Sequence, residues 1–280
     1  MSSARSVPVA LTIAGSDCSS GAGLQADLKT FAAFGVYGLT AVTCVVAEVP
    51  GAVSRIDAVD RRNLFRQIEL CLASFPVSAI KTGLLFSAEN VSTVADILET
   101  LPSSIPLVVD PVMVATSGDV LLQPEAIELY RTRLFPRASL VTPNLAEAAV
   151  LLGQPVRNLE EMRTAGLALA RESRTRILLK GGHLPGDFAI DLLIDDQRIE
   201  EFPATRVIGV STHGTGCTYS AAITAGLAGG LSLRDAVVGA KKFVSGAIAD
   251  HFVWQGSLGP VQALNHAPRD PFKEQMNPSS

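Results

Sequence analysis

The stretch VPVALTIAGSDCSSGAGLQADLKTF, residues 7–31, holds the pattern that decides the fold. An apolar, β-branched run ends at Gly15, a loop of small residues follows, and a helical pattern begins at Ala22. A strand with no polar face is typical of a parallel sheet that is covered by helices on both sides. Strand, short loop and helix recur in this order along most of the chain, which predicts an α/β fold.

Apolar runs predict the strands of this sheet, and helical patterns predict the layers around it. The predicted strands span 7–15, 39–48, 78–83, 105–111, 139–144 and 175–182. The predicted helices span 22–34, 61–75, 87–101, 124–134, 145–152, 159–172, 216–229 and 233–253. We therefore expect three layers, with a central and mostly parallel sheet between helices on both faces.

The pattern AIDLLIDDQRIEEF, residues 189–202, differs from the rest because two strand patterns meet at a turn. It predicts an antiparallel hairpin at one edge of the sheet. No linker divides the chain, so we expect a single domain over residues 1–255. Residues 256–280 are rich in Pro, Asn and Ser and predict a C-terminal tail that is partly disordered.

Composition excludes several classes of function. The chain has 280 residues and a net charge of −4, and it has no basic stripe that would favour nucleic acid or an acidic membrane surface. No apolar run approaches the roughly 20 residues of a membrane span, and the apolar run near the N-terminus is too short for a signal peptide. The four cysteines lack metal-ligand spacing. We expect a cytoplasmic protein with reduced thiols.

Polar residues follow the carboxyl ends of the predicted strands. Each one alone is explained by a loop or a helix cap. Because ligands of parallel sheets bind beyond the carboxyl ends of the strands, the whole set predicts one site with acceptors for a metal or sugar-like ligand and lysines for phosphate. The set comprises Asp17, Glu48, Lys81, Asp110, Asn144, Glu147 and Lys180.

The stretch STHGTGCTYSAA, residues 211–222, places a glycine-rich turn before a helix of small residues. Backbone amides at a helix N-terminus favour anions and developing negative charge. The same position is expected to lower the pKa of the Cys217 thiol. Cys217 could therefore be a nucleophile, a proton acceptor or a small packing residue.

The chain resembles the hydroxymethylpyrimidine/phosphomethylpyrimidine kinases of thiamine biosynthesis, in the ribokinase-like superfamily. The motifs occur in order over residues 10–248: ALTIAGSD, GAGLQADLKTF, KTGLL, VVDPVMVATSGDVLL, LVTPNLAEA, LLKGGH and HGTGCTYSAA. The resemblance implies a ribokinase-like fold and a homodimer. It also implies that ATP and Mg²⁺ serve two phosphorylations, first of 4-amino-5-hydroxymethyl-2-methylpyrimidine and then of its monophosphate to the diphosphate.

The resemblance also implies roles for single residues. Cys217 would be the base, at a position where relatives in the superfamily usually carry aspartate. The anion hole would comprise Gly214, Thr215 and Gly216, with Lys241 assisting at the phosphate. The pyrimidine would contact Asp27, Glu48, Leu84 and Val112, and the nucleotide would contact Lys180, Asn144 and Thr212. The magnesium ion would be held through water by Asp110 and Glu147.

One stretch departs from the family pattern. The family usually has Ala-Gln-Asn-Thr after the second strand, and its glutamine binds the aminopyrimidine; here the stretch is Ala47-Glu48-Val49-Pro50. A pyridoxine or pyridoxal kinase of the same superfamily is therefore the first alternative. A cysteine hydrolase with Cys217 as nucleophile and His213 or His183 as base is another. A pyrimidine-binding sensor without catalysis is the third.

Overall fold

The computed structural model describes residues 6–113, 122, 124–210, 213–256 and 259–267. Its main sheet has the strand order β3-β2-β1-β4-β5-β6-β7-β8-β9. Six strands, β2, β1, β4, β5, β6 and β7, are parallel to one another. The other three pair antiparallel: β3 with β2, β8 with β7, and β9 with β8. The bounds are β1 Val9–Asp17, β2 Tyr37–Val49, β3 Ala52–Ala58, β4 Val77–Thr82, β5 Leu107–Val109, β6 Leu140–Val141, β7 Ile177–Lys180, β8 Phe188–Asp195 and β9 Arg198–Thr205.

Helices cover both faces of the sheet. They are α1 Gly23–Ala33, α2 Arg61–Ser74, α3 Ala88–Leu98, α4 Pro124–Leu129, α5 Leu145–Leu152, α6 Leu159–Ser173, α7 Thr215–Ala228 and α8 Leu233–Ala249. A π-helical turn, Tyr130–Leu134, continues α4. No helix in the described ranges has both the length and the apolar character to span a membrane.

The alternation of side chains along the strands divides the core into two parts. Leu107 and Val109 of β5 pack on the face covered by α2–α6, and Val108 between them packs on the face covered by α7 and α8. All three are buried, as expected for a parallel strand with helices on both sides. The predicted three-layer α/β architecture is therefore confirmed, together with the antiparallel hairpin, which is β8-β9.

The second antiparallel edge was not predicted as a strand pair. Residues 52–58 form β3, which pairs with β2 across a turn at Pro50 and Gly51. Gly51 has a φ of +87°, in the left-handed region that glycine adopts without strain. Pro50 and Gly51 therefore form the turn of a second hairpin.

The C-terminal segment also differs from its prediction. Helix α8 ends at Ala249, and the strands β10 Phe252–Gly256 and β11 Gly259–Ala263 form a separate antiparallel pair. Leu264, Asn265 and His266 are buried. His266 Nε2 and the Thr218 hydroxyl of α7 are hydrogen-bonded at 2.9 Å. The folded part of the chain therefore continues past residue 255, although the composition there predicted a disordered tail.

One fully buried ion pair connects the sheet to α1. Lys81 Nζ of β4 donates to Asp27 Oδ2 at 2.9 Å, and neither side chain is exposed. The Thr12 hydroxyl of β1 donates to the same oxygen at 2.6 Å. Burial lowers the pKa of Lys81, but Asp27 and other anionic neighbours raise it above its ordinary value. Burial raises the pKa of Asp27 above its ordinary value, although the charge of Lys81 and the Thr12 hydroxyl act in the opposite direction.

We expect the Lys81→Met substitution to lower the free energy of unfolding by about 3–5 kcal/mol, because it leaves a buried carboxylate without its counter-ion. The double variant Lys81→Met/Asp27→Leu replaces the pair with apolar side chains and should recover most of this loss. Urea denaturation measures both changes. Arg55→Met, which breaks an exposed pair with Asp57, is the control and should change stability by less than about 1 kcal/mol. Equal stability of the single and double Lys81 variants would contradict the prediction.

Candidate active site

A pocket of about 740 Å³ opens at the carboxyl edge of the parallel strands. Twelve of the fourteen residues to which the family resemblance assigns a role line this pocket. They are Glu48, Leu84, Asp110, Val112, Asn144, Glu147, Lys180, Gly214, Thr215, Gly216, Cys217 and Lys241. Of the other two, Thr212 lies outside the described residues, and Asp27 lies behind the pocket wall.

The N-terminus of α7 forms one wall of the pocket. Gly214, the N-cap, has a φ of +79°, and a Cβ at this position would lie 1.8 Å from the carbonyl oxygen of Gly21. Only glycine fits there. Within the part of the chain that the structure describes, no side chain caps the first amides of α7. The Thr215 hydroxyl is buried and has no hydrogen-bond partner among the described residues. This wall therefore offers uncapped donors to a ligand, as a site for an anion does.

Lys180 and Asp110 lie beside this helix terminus. Lys180 Nζ donates to Asp110 Oδ1 at 2.9 Å, and a Cβ on Gly216 would lie 3.1 Å from the same ammonium. The hydroxyls of Thr142 and Ser220 also donate to the Asp110 carboxylate, each at 3.0 Å. Burial alone would raise the pKa of Asp110, but Lys180 and Lys81 lower it below its usual range. Asp110 is therefore a buried carboxylate that remains ionised.

Glu147 is the second buried carboxylate of the pocket. Its Oε2 accepts from the Asn144 amide at 2.8 Å, and its own amide donates to Asn144 Oδ1, which forms a capping box at the start of α5. Burial raises the pKa of Glu147 to about 8, even though Lys180 lowers it, and the negative charge of Asp110 adds to the increase. A cation that joins the two carboxylates would favour the ionised form of Glu147.

Cys217 lies in the pocket as expected, but its protonation state differs from the prediction. Burial raises the pKa of its thiol to about 12, although Lys81 and the backbone amide of Gly23 act in the opposite direction. Asp27 and Asp110 add to the increase. The predicted lowering by the helix terminus is therefore wrong for the ligand-free protein, because desolvation outweighs the favourable dipole. At neutral pH the free site contains a thiol.

A cluster of Asp17, His213 and Glu48 also lines the pocket. Their side-chain ligand atoms all lie within 4.8 Å of one another. His213 Nε2 and Asp17 Oδ2 are 3.2 Å apart. Burial of Asp17 opposes its ionisation, but hydrogen bonds from His213, Ser19 and Ala22 lower its pKa to about 2. The hydrogen bond to Asp17 raises the pKa of His213. Burial, followed by the charge of Asp17, raises the pKa of Glu48.

Lys241 has a partner that the sequence analysis did not single out. Its Nζ donates to Asp191 Oδ2 at 2.6 Å and to the Ala189 carbonyl at 2.9 Å. Asp191 is buried in the middle of β8 and also accepts from the Gly181 amide. The sequence signal that could have identified Asp191 is its position as an aspartate within the apolar run AIDLLID. Lys241 therefore contacts β8 in the ligand-free protein, where we had expected a free cation for phosphate.

Three comparisons with known proteins agree with this geometry. The family model for phosphomethylpyrimidine kinase matches residues 17–262. A hydroxymethylpyrimidine/phosphomethylpyrimidine kinase of Rhizobium meliloti is 43% identical over 256 residues, which cover 90% of this chain and 96% of the relative. The enzyme of the same name from Streptomyces coelicolor is also 43% identical, covering 91% and 93%.

Solved structures of kinases share the fold. Pyridoxal kinase from Staphylococcus aureus in complex with ADP has a TM-score of 0.86 and 35% identity, covering 95% of this chain and 96% of its own. Phosphomethylpyrimidine kinase from Clostridium difficile has a TM-score of 0.75 and 36% identity, covering 86% and 99%. The match of the family model and the identity of these relatives over most of their length show that the chain belongs to the phosphomethylpyrimidine kinase family.

Proposed function

We propose that this protein transfers a phosphoryl group from ATP to 4-amino-5-hydroxymethyl-2-methylpyrimidine, and then a second one to the resulting monophosphate, in thiamine biosynthesis. The observation that carries the proposal is the uncapped start of α7, with its unpartnered Thr215 hydroxyl, beside Lys180 and two buried carboxylates. Leu84 and Val112 line the same pocket and offer apolar contacts to a flat ring. Family membership supports this reading.

Phosphoryl transfer needs positioned charge more than covalent chemistry. The amides of Gly214, Thr215 and Gly216 would stabilise negative charge on the transferred group, and Lys180 would bind the phosphates of the nucleotide. In the free site, Asp110 neutralises Lys180. Lys241 would turn from Asp191 toward phosphate, and Asn144 and Thr212 would complete the nucleotide contacts.

Asp110 and Glu147 fit a magnesium ion by the chemistry of their oxygen donors. Mg²⁺ binds one or two carboxylates together with water and the phosphates of a substrate. Both side chains are buried and both line the pocket. A bound Mg²⁺ would supply neutralisation of phosphate charge. The two carboxylates would hold it through water.

A second candidate function is phosphorylation of pyridoxine or pyridoxal. The structures of pyridoxal kinases with TM-scores of 0.85 and 0.86 favour it, as does Glu48 in place of the glutamine that the family resemblance implies. Assays of ATP-dependent phosphorylation with each substrate in turn test both readings. We expect the pyrimidine and its monophosphate to be phosphorylated with the higher kcat/KM. Turnover of pyridoxal alone would replace the proposed function with the second one.

Because the free site contains a thiol, a role of Cys217 as base requires that the bound ligands lower the pKa of that thiol. For this role we expect Cys217→Ala to lower kcat by a factor of about 10²–10⁴, the range typical of a positioned base, with little change in KM for ATP. Cys217→Asp should restore part of the rate, because a carboxylate is ionised at neutral pH and Lys81 offers it a counter-charge. Steady-state kinetics of the three proteins measure this. If Cys217→Ala kept a nearly normal kcat, the thiol would have only a packing role.

We expect Glu147→Gln to raise the magnesium concentration needed for half-maximal rate, because an amide binds a hard cation more weakly than a carboxylate does. Magnesium titration of the rate at saturating ATP measures the change. Glu161→Gln, a half-buried residue that interacts with the N-cap Asn158 at the start of α6 as Glu147 does with Asn144 in α5, is the matched control. An unchanged magnesium dependence in Glu147→Gln would show that Glu147 does not hold the metal.

We expect KM for the pyrimidine to rise as pH increases from about 6 to 9, because Glu48 or the ring nitrogen must carry a proton for these two acceptors to form a hydrogen bond with each other. The raised pKa of Glu48 favours its protonated form, which can donate this hydrogen bond. Asp17 stays ionised throughout this pH range. Glu48→Gln should flatten the profile and improve binding at alkaline pH. His213 is retained in this variant, so a profile that keeps its slope would assign the titration to His213.

A further inference from the structure

Residues 83–85, the segment that follows β4, are held by three side chains from three different parts of the fold. The Tyr130 hydroxyl, in the π-helical turn, donates to the Gly83 carbonyl at 3.2 Å. The Thr43 hydroxyl of β2 donates to the Leu84 carbonyl at 2.6 Å. The side-chain amide of Asn90, on α3, donates to the Leu85 carbonyl at 3.0 Å. Each of three consecutive carbonyls thus accepts from its own side chain.

These donors are buried and are tied to one another. Tyr130 and Thr43 are fully buried, and Asn90 is 2% exposed. The Asn90 amide also donates to the Thr43 carbonyl at 3.1 Å. Loop carbonyls buried without partners are unfavourable, so the three donors satisfy groups that no strand or helix would satisfy here. We name Tyr130, Thr43 and Asn90 the carbonyl clamp.

The backbone next to the clamp is strained. Phe86, which follows directly, has a φ of +72°, an unfavourable value for a bulky residue. Such a conformation persists only where the surrounding structure determines it. Here the surrounding structure consists of the three hydrogen bonds to the carbonyls of residues 83–85 and of a fourth, from the Ser87 amide to the Leu85 carbonyl.

The clamped segment lies against the pocket. Gly83 and Leu84 line it, and a Cβ on Gly15 would lie 3.5 Å from Leu84 Cδ2, so Leu84 closes the pocket next to the end of β1. The nucleotide residues Lys180 and Lys241 belong to other strands and helices. A shift of residues 83–85 would therefore change the substrate end of the pocket first.

We propose that Tyr130, Thr43 and Asn90 are positioning residues for the phosphoryl acceptor, which act by fixing Gly83 and Leu84 against its ring. The proposal rests on the proposed function for the identity of the acceptor. The clamp itself is defined by contacts of the free protein. The chemical class that it serves is a flat heteroaromatic alcohol, since the segment offers an apolar side chain and a glycine to the pocket.

The test uses Thr43→Val, which removes the hydroxyl at nearly constant volume, Thr43→Ser, which keeps it, and Tyr130→Phe. Thr93→Val is the matched control, because the buried Thr93 hydroxyl also donates to a carbonyl, that of Glu89 within α3. Hydrogen exchange of the peptide over residues 83–87 is measured first and needs no substrate. We expect faster exchange in Thr43→Val and Tyr130→Phe, and wild-type exchange in Thr43→Ser and Thr93→Val. Unchanged exchange in the first two would overturn the proposal.

Kinetics then test the positioning role on whichever of the two acceptors the wild-type protein phosphorylates. We expect KM for the acceptor to rise on the order of tenfold in Thr43→Val, with KM for ATP unchanged. In a Leu84→Ala background the effect of Thr43→Val should disappear, because the contact through which it acts is absent. Equal increases in both KM values would overturn the proposal. A wild-type protein that phosphorylates neither acceptor would instead contradict the proposed function, and the exchange experiment would still decide on the clamp.

Discussion

The close approach of Gly214 to the Gly21 carbonyl is the constraint on which the pocket depends. A Cβ at Gly214 would lie 1.8 Å from that oxygen, so no other residue permits the two loops to touch. The contact brings the start of α7 to the start of α1, where the Gly23 amide reaches Cys217. The anion-binding wall, the thiol and the loop after β1 therefore meet at one place. A larger residue would separate all three.

Three basic side chains of the pocket are paired with carboxylates in the ligand-free protein, whereas Arg206, which also lines the pocket, donates to backbone carbonyls. Lys180 is paired with Asp110, Lys241 with Asp191, and His213 with Asp17. A polyanion that enters must compete with these carboxylates for the cations, or bring a cation of its own. Under the proposed function, this chain with a net charge of −4 would hold phosphate through local basic groups and without a general positive field.

Much of the fold and most of the site could be predicted from the sequence, because apolar runs identify strands and the carboxyl ends of parallel strands converge. The differences between the sequence-based expectations and the structure arise from tertiary burial, which the sequence does not show directly. The thiol pKa of Cys217 was predicted from a helix terminus, but desolvation outweighs the dipole. Asp27 was expected at the ring, but it lies one helical turn after Gly23, on the face of α1 that packs on the sheet against Lys81. Helix α8 ends four residues earlier than predicted, and the hairpin of β10 and β11 follows it.

The hydrogen bond between His266 and Thr218 has a practical consequence for anyone who handles this protein. Burial lowers the pKa of His266 to about 4, so its ring is neutral in ordinary buffers and the bond does not depend on a charge. Thr218 directly follows Cys217, so the last described residues support the helix that carries the Cys217 thiol. An expression vector that stops at residue 255, or a purification tag fused there, would remove this support. A tag belongs beyond residue 267 or at the other end of the chain.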